Sequence, residues 1–495
     1  MNLSDLIIFE LANNHQGDVE HGKKIISEMA RISVKYSLNA AVKFQYRQLD
    51  TFIHPSFRHD KEAKHISRFL DTELSADQFK ELVDFAKLKG MITMCTPFDE
   101  SSVDLIEQHN IDIIKIASCS ADDWPLISRI AKSYKPVITS TGGLELWQID
   151  NVVSYLTHRL STVGVLHCVG VYPTPHELEN LNFIERLTKR YKEVTIGYSG
   201  HESPDDTSVA ILALAKGATI FERHVGVPTD TIKLNAYSMN PKQVEAWIKA
   251  IQTAKTILGS DEKFISESEK ASLLSLKRGV FANKTITKGS YISADDVFFA
   301  MPCNPDQVTS GVFGKVRARF IASKDYVTNE AIYEEYQSDT YHRVRSIIHQ
   351  AKGLLEELNI VLSDKTSIEL NHHYGIENFD RFGCMIVNLV NREYCKKIIV
   401  VFPGQHHPEQ KHMKKEETFH ILSGEVTLTL NGLAHNMVKG NIVTIERGVL
   451  HSFYSESGAV IEEISTTHFV NDSYYTDPLI AEQDPMQRKT IVDKL

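Results

Sequence analysis

Two histidines stand just past the ends of consecutive apolar runs, in Val194-Thr-Ile-Gly-Tyr-Ser-Gly-His201 and Ala218-Thr-Ile-Phe-Glu-Arg-His224, and Glu10 lies on a third such run, Leu6-Ile-Ile-Phe-Glu-Leu. Neutral imidazoles at neighbouring strand ends can share one divalent metal, and a carboxylate on the same rim can move a proton or orient a water beside it. Structural histidines are common, so the pair gains meaning only from the pattern around it.

The elements that must position these groups alternate from residue 1 to about 260, short apolar runs followed by amphipathic helical stretches. Eight runs have strand character: Leu6 to Leu11, Ala40 to Gln45, Ile92 to Thr96, Ile113 to Ala117, Pro136 to Ser140, Val163 to Cys168, Val194 to Ser199 and Ala218 to Arg223. Ser75 ahead of Ala-Asp-Gln-Phe and Pro241 ahead of Gln243 are helix starts, and Gly90 is a stop. Eight strand-helix units in about 250 residues predict an α/β fold, a (β/α)8 TIM barrel. A doubly wound sheet would want a Gly-rich first turn, and Glu10 is followed by Leu-Ala-Asn-Asn-His-Gln-Gly instead.

In such a barrel, active-site groups collect at the C-terminal strand ends. Polar residues stand there on every strand: Glu10, Lys43 and Gln45, Thr96, Lys115 and Ser118, Ser140 and Thr141, His167, Ser199 and His201, Glu222 and His224. Alternation puts Lys43 with Gln45, Ser199 with His201, and Glu222 with His224 on common faces. Compact lysine charge and several hydroxyls suit a small phosphorylated acid held beside a metal. The formal net charge of −10 leaves an anionic substrate to be drawn by local field and argues against nucleic acid as a partner.

These residues resemble the sialic acid synthases, metal-dependent enzymes that condense phosphoenolpyruvate with an amino sugar. The motifs follow in order across residues 5 to 335: Glu10-Leu-Ala-Asn-Asn-His-Gln-Gly-Asp, Val42-Lys-Phe-Gln45, Cys95-Thr-Pro-Phe98, Ile114-Lys-Ile-Ala-Ser118, Ser140-Thr-Gly142, His167-Cys-Val-Gly-Val-Tyr-Pro-Thr-Pro175, Ile196-Gly-Tyr-Ser-Gly-His201 and Phe221-Glu-Arg-His224. The resemblance implies that His201 and His224 bind the metal, manganese first, with magnesium or cobalt as alternatives. It implies that Lys43, Thr96, Lys115, Ser118, Ser140 and Ser199 hold phosphoenolpyruvate. Glu10 and Glu222 would be catalytic, serving proton and water chemistry, with Gln45 and Tyr172 near the sugar. The reaction implied joins the methylene carbon of phosphoenolpyruvate to an aldehyde carbon, adds water at C2 and releases inorganic phosphate by C–O cleavage, leaving a 3-deoxy-2-ulosonic acid.

Departures from the family pattern cluster on the sugar side. Ser120 stands where the family has a glutamate, and Gly170 replaces a polar residue after the His-Cys-x of strand six. Asn235, in Lys233-Leu-Asn-Ala-Tyr-Ser238, is the nearest polar stand-in for a loop contact after strand eight. Met301 replaces the arginine that reaches the acetamido group, and a thioether cannot make a guanidinium's charge-assisted hydrogen bonds. The expectation is the same reaction on an aldose other than N-acetylmannosamine, one without the N-acetyl group, with Ser120 and Asn235 among the sugar-binding residues.

Three domains are expected: the synthase barrel over 1–262, a linker and small antifreeze-like (SAF) module over 263–336, and a helical lead-in with an all-β domain over 337–495. Arg278 to Ser293, with a turn at Lys288-Gly289, and Gly314 to Asp325 resemble the two halves of the module that follows the barrel in these synthases. In that family it caps the barrel mouth of a partner subunit, which implies a homodimer. Beyond Tyr341 a helical stretch leads into short strands with turns at Asn431-Gly432 and Lys439-Gly440-Asn441. Gln410-Lys-His412 with Glu417 and Gly424, then Gly440, Gly448 and His451, resemble the two cupin motifs. Gln410, His412, Glu417 and His451 are the candidate set for a second metal, with Gln410 where a first histidine is more usual. Within the cupins, His407 to Phe419 and Arg447 to Phe453 resemble sugar-handling members, including the D-lyxose isomerase group. Three roles stay open for this domain: aldose isomerisation with the barrel as a scaffold, non-catalytic sugar binding, and assembly.

No apolar run approaches the ~20 residues of a membrane span, and Met1-Asn-Leu-Ser-Asp lacks the pattern of a signal peptide, so a cytoplasmic protein without membrane partners is expected. Its six cysteines, scattered without CxxC spacing, suit reduced thiols.

Overall fold

The structure, a computed structural model, describes residues 2–58, 64–315, 319–334, 340–362 and 366–492. The chain divides into two compact units, one through Lys263 and one from Phe264. In the first, β1 (Leu6–Glu10), β2 (Asn39–Tyr46), β3 (Ile92–Pro97), β4 (Ile113–Ile116), β5 (Val137–Ser140), β6 (Val163–Cys168), β7 (Thr195–Ser199) and β8 (Ile220–His224) close into one barrel in chain order. All neighbouring pairs are parallel, β8 back to β1 included. Observed strands stay within two residues of the expected ones.

Strand alternation sorts side chains into two populations. Ile8, Ala41, Met94, Ile113, Ile138, Leu166 and Ile220 form a small fully buried cluster inside the barrel. Phe9, Val42, Phe44, Ile114, Val165 and Phe221 point the other way, into the larger core shared with the helices. Two residues beyond each inward position comes the next inward layer: Glu10, Lys43, Thr96, Lys115, Ser140, Cys168 and Glu222. An apolar plug therefore floors a polar mouth. Gly197 belongs to the plug on β7, where an added Cβ would come within 2.4 Å of the Ile220 carbonyl oxygen, so only glycine fits. The same alternation corrects the expectation for His167. It faces outward, its Nε2 lying 2.7 Å from the Glu179 carbonyl oxygen, and Cys168 takes the inward place.

The expected helix signals are met by capping boxes, at Ser75 with Gln78 and at Asn240 with Gln243, the latter ahead of Pro241. Such caps contribute about 1 kcal/mol each by satisfying orphan amides.

In the second unit, β9 (Gly279–Ala282) pairs antiparallel with β10 (Val297–Ala300). Bridges at Ile286 with Tyr326 and Tyr291 with Ile321 complete a small module around its own core of Val280, Ile286, Val297, Phe320, Tyr326 and Ile332. Of the closing half expected from Gly314 to Asp325, residues 316–318 lie outside the described residues, as does the boundary expected at 336–337. The segment before the module, taken as a linker, contains a helix over Glu267–Leu276 that buries none of its residues.

A helix over Thr340–Glu357 precedes a curled antiparallel β-domain of cupin type. Its strands are β11 (Ser367–Asn371), β12 (Cys384–Asn391), β13 (Tyr394–Val401), β14 (Gln405–Lys411), β15 (Glu417–Leu430), β16 (Leu433–Val438), β17 (Ile442–Ile445), β18 (His451–Ser455), β19 (Ala459–Thr466), β20 (Tyr474–Tyr475) and β21 (Lys489–Val492). Asn431 and Gly432, both at positive φ, make the two-residue hairpin between β15 and β16 that their sequence predicts. Among the described residues, no helix is long and apolar enough to cross a membrane.

Candidate functional site

Register brings the barrel's charged residues together before any side chain is considered. Glu10 pairs with Lys43 on one side and with His224 on the other, and Ser199 pairs with Glu222. Lys43 Nζ lies 2.6 Å from Glu10 Oε2 and 2.7 Å from Glu222 Oε1, and Ser199 Oγ donates to Glu222 Oε1 at 2.9 Å. The Ala12 amide donates to Glu10 Oε1 at 2.7 Å, and Gln45 Nε2 stands 3.4 Å from Glu10 Oε2. Lys115 Nζ donates to Ser140 Oγ at 2.6 Å and to the Ile116 carbonyl at 2.9 Å. Thr96 is buried in the same layer, while Ser118 is half-buried and accepts from the Gly142 amide at 3.2 Å.

Burial and charge set the ionisation of this cluster. Burial pushes the Glu10 carboxyl up, and Lys43 offsets only part of that. Burial also opposes charge on Glu222, but Lys43 and Lys115 outweigh it and hold this carboxylate below its ordinary range. Burial works against the Lys43 ammonium, and the two glutamates more than restore it. Lys115 has less compensation, so burial brings it down to about 8. Two carboxyls pushed in opposite directions are what distinct proton-handling and charge-holding roles require.

Beside the cluster stand the two imidazoles, ring centroids 5.4 Å apart. Burial holds His201 down to about 3 and His224 well below its ordinary value, so both are neutral. His201 Nδ1 faces the Val169 carbonyl oxygen at 3.3 Å, which places the ring proton there and leaves Nε2 free to ligate. This donor set fits one divalent ion, with its remaining positions left to substrate and water.

Tyr172 is half exposed and packs on His201 with centroids 4.1 Å apart. Tyr237, which sequence reasoning passed over, packs on His224 at 5.0 Å and on Tyr172 at 5.3 Å. Asn235, the expected sugar contact in that loop, accepts from the Tyr237 amide through Oδ1 at 3.1 Å. Ser120 is buried on the turn after β4, and Met301, 60% exposed, follows β10 in the second unit.

Sequence reasoning also missed a buried network behind the histidines. Arg223 and Glu202 are each at most 1% exposed and form an ion pair, and Arg223 Nη2 donates to the Glu202 carbonyl at 2.9 Å. Tyr198 Oη donates to Glu179 at 2.5 Å and to Glu202 at 3.1 Å. Glu202 follows His201 and Arg223 precedes His224, so the pair ties together the two segments that carry the imidazoles. The available signal was an arginine between Glu222 and His224, which alternation puts on the opposite face of β8 from both. Arg47 was missed as well; it stacks on Phe98 at 3.7 Å and donates to Gln45 Oε1 at 2.8 Å.

In the β-domain, the ligand atoms of His412, Glu417 and His451 converge, and strand register puts Gln410 beside them. A bulge between His407 and Gln410 sets the register of β14 so that Gln410 lies opposite His451. Ligand atoms of His412, Glu417 and His451 fall within 4.8 Å of one another. His412 Nδ1 faces the Asp472 carbonyl at 2.7 Å and His451 Nδ1 the Val449 carbonyl at 3.1 Å, so each Nε2 turns a lone pair toward Glu417 Oε1, at 3.7 and 3.0 Å. Gln410 Oε1, His412 Nε2, Glu417 Oε1 and His451 Nε2 are buried without a hydrogen-bond partner. Buried acceptors without a donor are costly unless a cation joins them.

Residues 33–263 match the model of the NeuB family, and residues 397–464 match that of the cupin domain. An uncharacterised protein of Methanocaldococcus jannaschii is 32% identical over 298 residues, 60% of this chain and 84% of that protein. The N,N'-diacetyllegionaminic acid synthase of Legionella pneumophila is 29% identical over 310 residues, 60% of this chain and 85% of that enzyme. A crystal structure from Chromobacterium violaceum, of a candidate spore coat polysaccharide biosynthesis protein E, shares 46% identity with a TM-score of 0.64, covering 66% of this chain and 98% of that one.

Proposed function

Because this chain belongs to the NeuB family and carries a cupin domain behind its barrel, we propose that it condenses phosphoenolpyruvate with an aldose to give a 3-deoxy-2-ulosonic acid and inorganic phosphate. It is a transferase of the sialic and ulosonic acid synthase type. The observation that carries the proposal is the linked cluster of Glu10, Lys43, Glu222 and Ser199 beside two neutral imidazoles, with Lys115 and Ser140 in the same layer.

Lys43 and Lys115, with the hydroxyls of Thr96, Ser118, Ser140 and Ser199, hold the phosphate and carboxylate of phosphoenolpyruvate and turn its methylene carbon toward the aldehyde. Orienting two reactants in this way supplies much of the rate. A divalent ion on His201 and His224, manganese before magnesium or cobalt, supplies a Lewis acid and a template when bound. Glu10 accepts the proton of the water that adds at C2 once the C–C bond has formed. Glu222 stays ionised and anchors Lys43. The new C2 hydroxyl becomes the ketone as the C–O bond to phosphate breaks, and the lysines stabilise the departing charge.

On the sugar side, Gln45, Tyr172 and Ser120 line the acceptor's place, with Tyr237 as an aromatic wall. Ser120 and Met301 favour an aldose without an N-acetyl group. The chain divides at 262 and 336, works as a homodimer in the cytoplasm, and uses its small module to cover the partner's barrel.

Phosphate release from phosphoenolpyruvate with manganese, measured against aldoses with and without the N-acetyl group, tests this reading. Release with a neutral aldose and none with N-acetylmannosamine is expected. Release with N-acetylmannosamine overturns the acceptor assignment, and silence across the panel overturns the synthase itself.

A further inference from the structure

The cupin cavity, about 80 Å³, holds chemistry that the barrel reaction does not use. Its walls carry three carboxylates against four basic side chains, and almost all of these are spoken for. Lys415 Nζ bonds Glu417 at 2.5 Å and Glu463 at 3.0 Å, Lys397 lies 3.5 Å from Glu463, and Lys489 lies 3.1 Å from Glu369. Arg488 is the exception. It is 9% exposed, and among the described residues no carboxylate pairs with it. Its guanidinium lies over the ring of Tyr475, 4.9 Å from the centroid, and Tyr475 is the strand partner of Gln410. Among the described residues the Tyr475 ring compensates this charge in part, and no anion does.

The opposite lack lies in the same cavity. Gln410 Oε1, His412 Nε2, Glu417 Oε1 and His451 Nε2 present lone pairs without a donor, and Glu417 already gives its other oxygen to Lys415. A divalent cation satisfies these four atoms. It also raises the cavity's positive excess, which Arg488 alone had begun. Whatever fills the remaining space must therefore be an anion that can reach a metal and a guanidinium together. Carboxylates are matched to both, as oxygen ligands for the ion and as bidentate partners for arginine. Tyr475 and His373, hydrogen-bonded at 2.9 Å on the same wall, add polar contacts for hydroxyl or keto oxygens.

We propose that this cavity is a second ligand site, in which a divalent cation on Gln410, His412, Glu417 and His451 together with Arg488 binds a small hydroxy- or keto-carboxylic acid. The ion would supply a Lewis-acid contact to the acid's oxygens, and Arg488 would pair with its carboxylate charge. The barrel's proposed product belongs to this chemical class, but the site is inferred from the cavity alone.

The test uses the full chain carrying His201→Ala and His224→Ala, so that bound manganese reports on the cupin. Titration followed by manganese paramagnetic resonance is expected to give one ion per chain, lost in His412→Ala. D-glycerate is expected to bind the manganese-loaded protein and perturb that spectrum, while glycerol, its neutral counterpart, does not. Arg488→Gln should raise the D-glycerate Kd at least tenfold with the manganese stoichiometry intact, and Arg488→Lys should recover part of the loss. Should Arg488→Gln lose the ion, Arg488→Lys decides by the same comparison, a weakened Kd being expected. Absence of the ion, binding of glycerol equal to that of glycerate, no binding of glycerate, or an unchanged Kd in the Arg488 variants would each overturn the proposal.

Discussion

Arg223→Met isolates the buried pair behind His201 and His224, the histidines proposed to hold the barrel's metal. Among the described residues, the substitution leaves Glu202, 0% exposed, with the Tyr198 hydroxyl at 3.1 Å as its charge-stabilising side-chain contact. Breaking a buried pair by removing one partner costs about 3–5 kcal/mol, most of it the uncompensated charge that remains. The Tyr198 bond offsets about 1 kcal/mol, so about 3 kcal/mol is expected. At ~2–4 °C per kcal/mol for a unit of this size, the barrel transition should fall by roughly 6–12 °C. Replacing both partners, as Arg223→Met with Glu202→Leu, removes the stranded charge and should recover more than half of the loss. The assay is favourable because Trp124, Trp147 and Trp247, the chain's three tryptophans, all lie before residue 264, so intrinsic fluorescence follows the barrel unit alone. Both variants should also bind manganese more weakly at the barrel, since the Arg223 bond to the Glu202 carbonyl holds the peptide beside His201. A loss under about 1 kcal/mol in the single variant, or a double variant no more stable than the single, would refute the reasoning.

Lys43→Met leaves Glu10 and Glu222 facing each other without their shared cation, and phosphate release should fall on the order of 10³-fold in kcat/KM at unchanged fluorescence. Lys115 is charged below about 8 and loses its proton above it. The kcat/KM for phosphoenolpyruvate should therefore decline as pH rises through about 8, and Lys115→Arg should move that alkaline limb upward. A profile flat to pH 9.5 would contradict the role given to Lys115. His412→Ala should remove one manganese per chain, read by metal analysis after dialysis, and leave the tryptophan-detected transition of the barrel where it was.

The barrel was legible because its strands alternate between two apolar environments, and a polar residue two places beyond an inward Ile, Ala, Met or Leu stands out. Glu10 after Ile8, Lys43 after Ala41 and Lys115 after Ile113 show the rule. The grouping of His412, Glu417 and His451 was legible because the cupin motif spacing sets where they fall relative to β14, β15 and β18. What stayed hidden depends on pairing across distance. Lys43 read as free charge for phosphate, and only the closed register of β1, β2 and β8 shows it held between two glutamates. Tyr237 was overlooked because loop residues carry no periodicity, and only the fold shows it packed on His224 and Tyr172. Arg488 lies about 70 residues beyond Glu417, and nothing in its neighbours announces that it would face the same cavity.

The central claim is that phosphate leaves phosphoenolpyruvate by C–O cleavage after condensation at this barrel. Phosphoenolpyruvate labelled with ¹⁸O at the oxygen bridging C2 and phosphorus, turned over with manganese and the active aldose, reads this out by mass spectrometry. The label is expected in the released phosphate, with the ulosonic acid's C2 oxygen coming from water. Label kept on the three-carbon skeleton would mean P–O cleavage and would contradict the mechanism at its core.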